Sequence, residues 1–166
     1  MRKLQKLFSV ILIAFAVLSP SRTFADLVIE PGRQVALHYV LSINSQAVES
    51  TQGKEPLRFV VGSNSVIPGL EKQLIGMSAG QEKKIIVDAV DAYGPVDGKA
   101  FKEVPRSMMP QGFEIKPGVV VEVDDPQGGS YPGVVWEVKQ DSVVLNFNHP
   151  LAGQTLEFDV KILAIE

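Results

Sequence analysis

The sequence predicts a mainly β chain of the α+β class: an antiparallel sheet with one short helix and a second, smaller β-rich unit inserted into it. Three observations predict this. Short apolar alternations recur along the chain, separated by turn-forming residues drawn from 14 glycines and 11 prolines. Only one segment, residues 67–75, has helical spacing. The final alternation, "LEFDVKILAI", has no local partner left, so it must pair back with the first half of the chain and leave the preceding strands as an insert.

The first residues read "MRKLQKLFSVILIAFAVLSPSRTFADL". Arg2, Lys3 and Lys6 precede an apolar run from Leu7 to Leu18, interrupted only by Ser9 and broken by Pro20. Thr23 and Ala25 place small residues three and one before Asp26, the layout of a secretory signal peptide cleaved after Ala25. A membrane span needs about 20 apolar residues, and this run is shorter. Removing residues 1–25 takes away four cations and no acids, so the net charge moves from −3 to −7. Export is therefore expected, with a periplasmic destination and no membrane attachment after cleavage.

Beyond the leader, "QVALHYVLSI" (34–43) places Val35, Leu37, Tyr39 and Leu41 on one alternating face, and "NSQ" can turn it into "AVEST". "PLRFVVG" (56–62) is the next strand. In "SNSVIPGLEKQLIGM", Ile67, Leu70, Leu74 and Ile75 fall near helical spacing, Pro68 suits a first turn and Gly76 a stop. "QEKKIIVDAV" (81–90) returns to strand and ends at "DAYGP", a turn. From Phe101 to Gly118 the pattern is irregular. Three short strands follow at 119–124, 133–138 and 142–147, spaced as a meander. Trp136 and the pair Met108 and Met109 are candidates for its core. The expected division is residues 26–100 with 147–166 as one domain, and 101–146 as the insert.

Composition excludes several kinds of chemistry. No cysteine is present, so disulfides, thiol catalysis and Cys-ligated zinc are absent. His38 and His149 lie 111 residues apart and neither adjoins a G-x-S-x-G elbow. Asp88/Asp91 and Asp124/Asp125 lack EF-hand spacing, and "GSNSVIPG" lacks the lysine and glycine spacing of a phosphate loop. An acidic chain without basic clusters is poorly suited to nucleic acid. No cofactor and no metal are expected. What remains is a set of apolar and aromatic residues, of which Tyr93 is notable for sitting at a turn.

The stretch "PLRFVVGSNSVIPGLEKQLIGMSAGQEKKIIVDAVDAYG" closely resembles the central part of FKBP-type peptidyl-prolyl isomerases. The insertion after "AYG", followed by "NHPLAGQTLEFDV", resembles the SlyD-like branch, in which an insert-in-flap chaperone domain replaces a short loop. The resemblance covers residues 30–166 and implies a twisted antiparallel sheet wrapped on one short helix. Carried over by position, it implies a prolyl pocket with Tyr93, Ile67, Phe158 and Tyr39 as the central residues. Glu49, Leu57, Phe59, Val66 and Leu70 complete it, with Leu151 at the rim. Met108 and Met109, with Phe113, Val120 and Trp136, would offer substrate an adaptable apolar surface on the insert.

Some positions depart from the family pattern. Glu49 stands where aspartate is common, Val48 and Leu57 where many members have phenylalanine, and Leu70 where single-domain members have tryptophan. A wider pocket, less suited to macrolide inhibitors, follows. The activity implied is cis-trans isomerisation of X-Pro bonds in unfolded or partly folded secreted proteins, by a monomer with chaperone activity in its insert. The rival readings are a holdase with a vestigial prolyl pocket and, more remotely, an adhesin-like structural β-protein.

Overall fold

Two strands of ten residues, one early and one at the end of the chain, carry the architecture. The computed structural model describes residues 27–109, 114–124 and 129–166. The expected leader and Phe113 lie outside them. In chain order the strands are β1 (Gln34–Ile43), β2 (Gln46–Ser50), β3 (Leu57–Val60) and β4 (Glu82–Val87). β5 (Phe101–Pro105), β6 (Val120–Asp124), β7 (Ser130–Val138), β8 (Ser142–Asn146) and β9 (Leu156–Ile165) follow. The one α-helix among the described residues, α1, is Pro68–Leu74.

β9 does pair with the first half of the chain. It lies between β1 and β4 in a five-stranded antiparallel sheet, with Leu41 opposite Phe158 and Ile85 opposite the same residue on the other side. On its free side β1 is shared: its first half pairs with β3 and its second half with β2. The alternation Val35, Leu37, Leu41 buries one face of β1, and Leu156, Phe158, Val160 and Ile162 bury the same face of β9. Full burial of each such side chain contributes about 1.5–3 kcal/mol. The outer face carries charged cross-strand partners, Lys161 to Glu82 at 2.8 Å and Lys84 to Glu157 at 3.1 Å. Exposed pairs of this kind add little stability.

α1 covers the buried face of the sheet. Pro68 opens it where a missing N–H costs nothing, and Leu70 and Leu74 point inward. Gly69 is required by contact: a Cβ there would overlap the Val87 side chain and lie 2.9 Å from Asp91 Cβ. Glycine lets the helix lie directly against β4 and the turn after it. Gly76, at φ +83°, ends the segment. Ile75, expected on the helix's apolar face, instead leaves the helix in an extended conformation and is 44% exposed.

The remaining strands form a separate four-stranded antiparallel sheet in the order β5-β8-β7-β6. Its own core consists of Met109, Val121, Val135, Val143 and Leu145. Two features differ from the sequence reading. The segment 101–105 is a strand, paired with β8 from Phe101–Asn146 to Pro105–Ser142. β7 begins at Ser130 and includes Pro132, at a point where it pairs only with β6, so the missing N–H faces no second strand. Trp136, expected in the core, is 60% exposed. The β7–β8 register slips between Val135 and Glu137, and this bulge turns Trp136 outward, edge-on to Phe101 at 5.5 Å.

The two chain crossings between the sheets are adjacent. Phe147 N–H donates to Ala100 O at 3.0 Å, Asp97 N–H to Asn148 Oδ1 at 2.8 Å, and Asn148 Nδ2 back to Asp97 O at 3.1 Å. Asn148 therefore fastens the outgoing strand to the returning one.

Candidate functional site

Where the inner face of the first sheet meets the start of α1, several predicted residues come together. Phe59 from β3, Leu70 from α1 and Phe158 from β9 are buried in one cluster. Tyr39, Leu57, Val66, Ile67 and Leu151 pack against it half-buried. Tyr39 and Phe158 meet at 5.9 Å between ring centroids with planes tilted by 57°, a favourable aromatic geometry. Ile67 immediately precedes α1 and its carbonyl accepts from Leu70 and Glu71, so its own N–H belongs to the unpaired first turn of the helix.

Glu49 enters the site through Tyr39. The Tyr39 hydroxyl donates to Glu49 Oε1 at 2.7 Å, a link from β1 to the exposed strand β2. Burial pushes the Tyr39 phenol up to about 12 from its ordinary 10.0, and the Glu49 bond and charge push it the same way. The fold thus favours neutral Tyr39. That contribution is complete below pH 10 and is lost as pH rises through the folded value near 12. Ultraviolet titration is expected to place near pH 12 the tyrosinate signal that Tyr39→Phe removes; a signal near 10 would deny that the phenol is buried beside Glu49.

Tyr93 is outside the buried cluster, although its phenol lies near enough to Tyr39 to push that group up as well. It occupies the turn after a short 3-10 segment, Ala89–Asp91, next to Gly94 at φ +77°, and is 41% exposed. Its ring lies flat on His149, centroids 3.6 Å apart and planes within 6°. Gly153 N–H donates to Gly94 O at 2.8 Å, fastening the loop that carries His149 to the turn that carries Tyr93. In the sequence His149 has no catalytic or metal-ligand spacing. No pattern could reveal a partner 56 residues away.

The two methionines separate. Met109 is buried in the core of the second sheet, whereas Met108 is 74% exposed. The second sheet also bears a groove of about 710 Å³ lined by Val120, Tyr131, Val134, Phe147 and His149 among others. Its lining is largely apolar, and of these residues only Val120 belongs to the surface that the sequence predicts for the insert. Among the described residues, no group of three or more His, Asp or Glu is placed to hold a metal ion.

The cluster of the first sheet presents buried and half-buried apolar side chains with the Tyr39–Glu49 hydrogen bond beside them. Comparison with known proteins specifies the class of protein. The sequence profile of the FKBP-type peptidyl-prolyl cis-trans isomerases matches residues 27–163. The chain is 35% identical over 134 residues to the probable FKBP-type 16 kDa peptidyl-prolyl cis-trans isomerase of Pseudomonas fluorescens, covering 80% of this chain and 89% of that protein. It is 36% identical over 137 residues to the FKBP-type isomerase SlyD of Aeromonas hydrophila, covering 81% of this chain and 63% of that relative. Over 153 residues it is 28% identical to the short-type isomerase of Methanocaldococcus jannaschii, with 83% and 94% covered. The chain belongs to the FKBP-type peptidyl-prolyl cis-trans isomerases.

Proposed function

We propose that this isomerase acts on X-Pro bonds of proteins exported across the inner membrane, and that its second sheet holds those chains while the first turns the bond. The observation that carries the prolyl site is the Phe59–Leu70–Phe158 floor beneath the Tyr39 rim. Rotation about a peptide bond is slow because it breaks amide resonance, a barrier of about 18–20 kcal/mol. The twisted amide is less polar than the planar one, so a water-poor apolar pocket favours it. A thousandfold gain needs only ~4 kcal/mol. In this reading the proline ring enters against Phe158, Leu70 and Tyr39, and the Ile67 N–H holds the peptide. Because the Tyr39 hydroxyl is engaged by Glu49, the exposed Tyr93 hydroxyl is the donor to the substrate carbonyl.

Tyr93→Phe tests that role, since it keeps the ring and removes one hydroxyl. One neutral hydrogen bond has a net worth of about 0.5–1.5 kcal/mol, so kcat/KM on a prolyl peptide is expected to fall roughly two- to tenfold. A thousandfold loss would point to general-acid chemistry instead. Export rests on the leader: mature protein recovered from the cell envelope is expected to begin at Asp26, and an intact Met1 there would overturn the localisation.

The apolar groove favours a second reading, a holdase whose prolyl pocket contributes little. Suppression of aggregation by a Phe158 variant that has lost isomerase activity would support it for chain holding. Equal loss of both activities would argue against it.

A further inference from the structure

We infer that His149 is a positioning residue for Tyr93, fixing where the hydroxyl of that exposed side chain points. The inference rests on the reading of Tyr93 as donor to the substrate carbonyl. Tyr93 sits on a turn, 41% exposed, where a tyrosine ring would otherwise exchange rotamers freely. The flat contact with His149 at 3.6 Å and 6° covers one face of the ring and opposes rotation about the side-chain torsions, which would drive the ring into the imidazole or off it. With those torsions restricted, the hydroxyl at the far end of the ring keeps one direction.

A stack can position only if the other ring is itself fixed, and three features fix His149. Leu151 N–H donates to His149 Nδ1 at 3.1 Å. That bond orients the imidazole about its side-chain torsions and places the proton of the neutral ring on Nε2. Ala152 N–H donates to the His149 carbonyl at 2.9 Å, closing a turn around the residue. Pro150, next in the chain, disfavours the helical conformation at His149. Leu151 belongs to the rim of the prolyl cluster, so the support runs from the pocket wall through the imidazole to the Tyr93 ring.

His149 is exposed, and the backbone bond to Ala152 survives any side-chain change. His149→Ala should therefore fold normally, which a thermal melt checks. On a prolyl tetrapeptide, His149→Ala is expected to lower kcat about two- to tenfold with KM changed less than twofold, and His149→Phe, which keeps a flat ring, to lose less. The decisive measurement is a double-mutant cycle. If His149 acts through the Tyr93 hydroxyl, adding His149→Ala to Tyr93→Phe should cost less than twofold. Unchanged activity in His149→Ala, or the same fold-loss in both backgrounds, would overturn the inference. A silent Tyr93→Phe would instead overturn the assignment of Tyr93 as donor and this inference with it.

Discussion

Phe158→Ala is expected to lower the folding free energy by about 3–5 kcal/mol, the usual result of truncating a buried phenylalanine. It is also expected to reduce kcat/KM for prolyl peptides roughly ten- to a hundredfold. Both effects have the same structural source. Phe158 is 6% exposed on the central strand β9, opposite Leu41 on one side and Ile85 on the other. Its ring also meets Tyr39 at the floor of the site. Removing it leaves a cavity between strands and opens the pocket floor to water, forfeiting about 1.5–3 kcal/mol of apolar contact with a bound ring. Because the variant can fail through stability alone, Phe158→Leu, which keeps an apolar side chain of nearly the same reach, is to be measured beside it. A folded Phe158→Ala with unchanged activity would place the prolyl site elsewhere.

Replacement of residues 101–146 by a short glycine-rich linker is expected to leave prolyl-tetrapeptide activity within about twofold, while catalysis on an unfolded protein falls strongly. The deletion removes β5 to β8 and their core, none of which pairs with the first sheet. It spares the fastening of Asp97 to Asn148 and brings the new junction to Ala100 and Phe147, which are already hydrogen-bonded. A tetrapeptide contacts one site, so it loses nothing. On the proposed reading, a long chain would also rest in the second sheet's groove and gain effective concentration at the prolyl site, a gain that the deletion would remove. Refolding of a proline-limited protein and tetrapeptide isomerisation, measured on the same preparation, decide the matter. Equal losses on both substrates would refute a division of labour along this boundary.

Much of the fold is legible because burial imposes period two on β9, and helical spacing on Leu70 and Leu74 of α1, while β1 keeps Val35, Leu37 and Leu41 on its buried face although Ala36 is buried as well. The elements that escaped were those whose form comes from a distant partner. "FKEVP" has no apolar alternation of its own and becomes a strand because β8 supplies the ladder. Trp136 looked like core because one extra residue in β7, invisible to any alternation, turns it outward. The residues assigned to the prolyl site come from resemblance rather than from spacing; Tyr39, Leu57, Phe59, Val66, Ile67, Leu70, Leu151 and Phe158 all belong to, or pack against, the core of the first sheet. The contact between Tyr93 and His149 depends on the Gly94–Gly153 bond between two loops, which no local pattern encodes.

The adjacency of Ala100 and Phe147 also bears on the order in which the chain assembles. β4 and β9 pair across a long separation: 68 residues lie between Val87 and its partner Leu156. Closing a loop has an entropic cost that grows with the logarithm of its length. Once β5 to β8 have closed on their own core, the bond between Phe147 and Ala100 joins the two ends of that unit. Only the segments 88–100 and 147–155, together 22 residues, then remain as free chain between β4 and β9. The shortening lowers the closure cost by about 1 kcal/mol, so a second sheet that forms early delivers the last strand of the chain to the first.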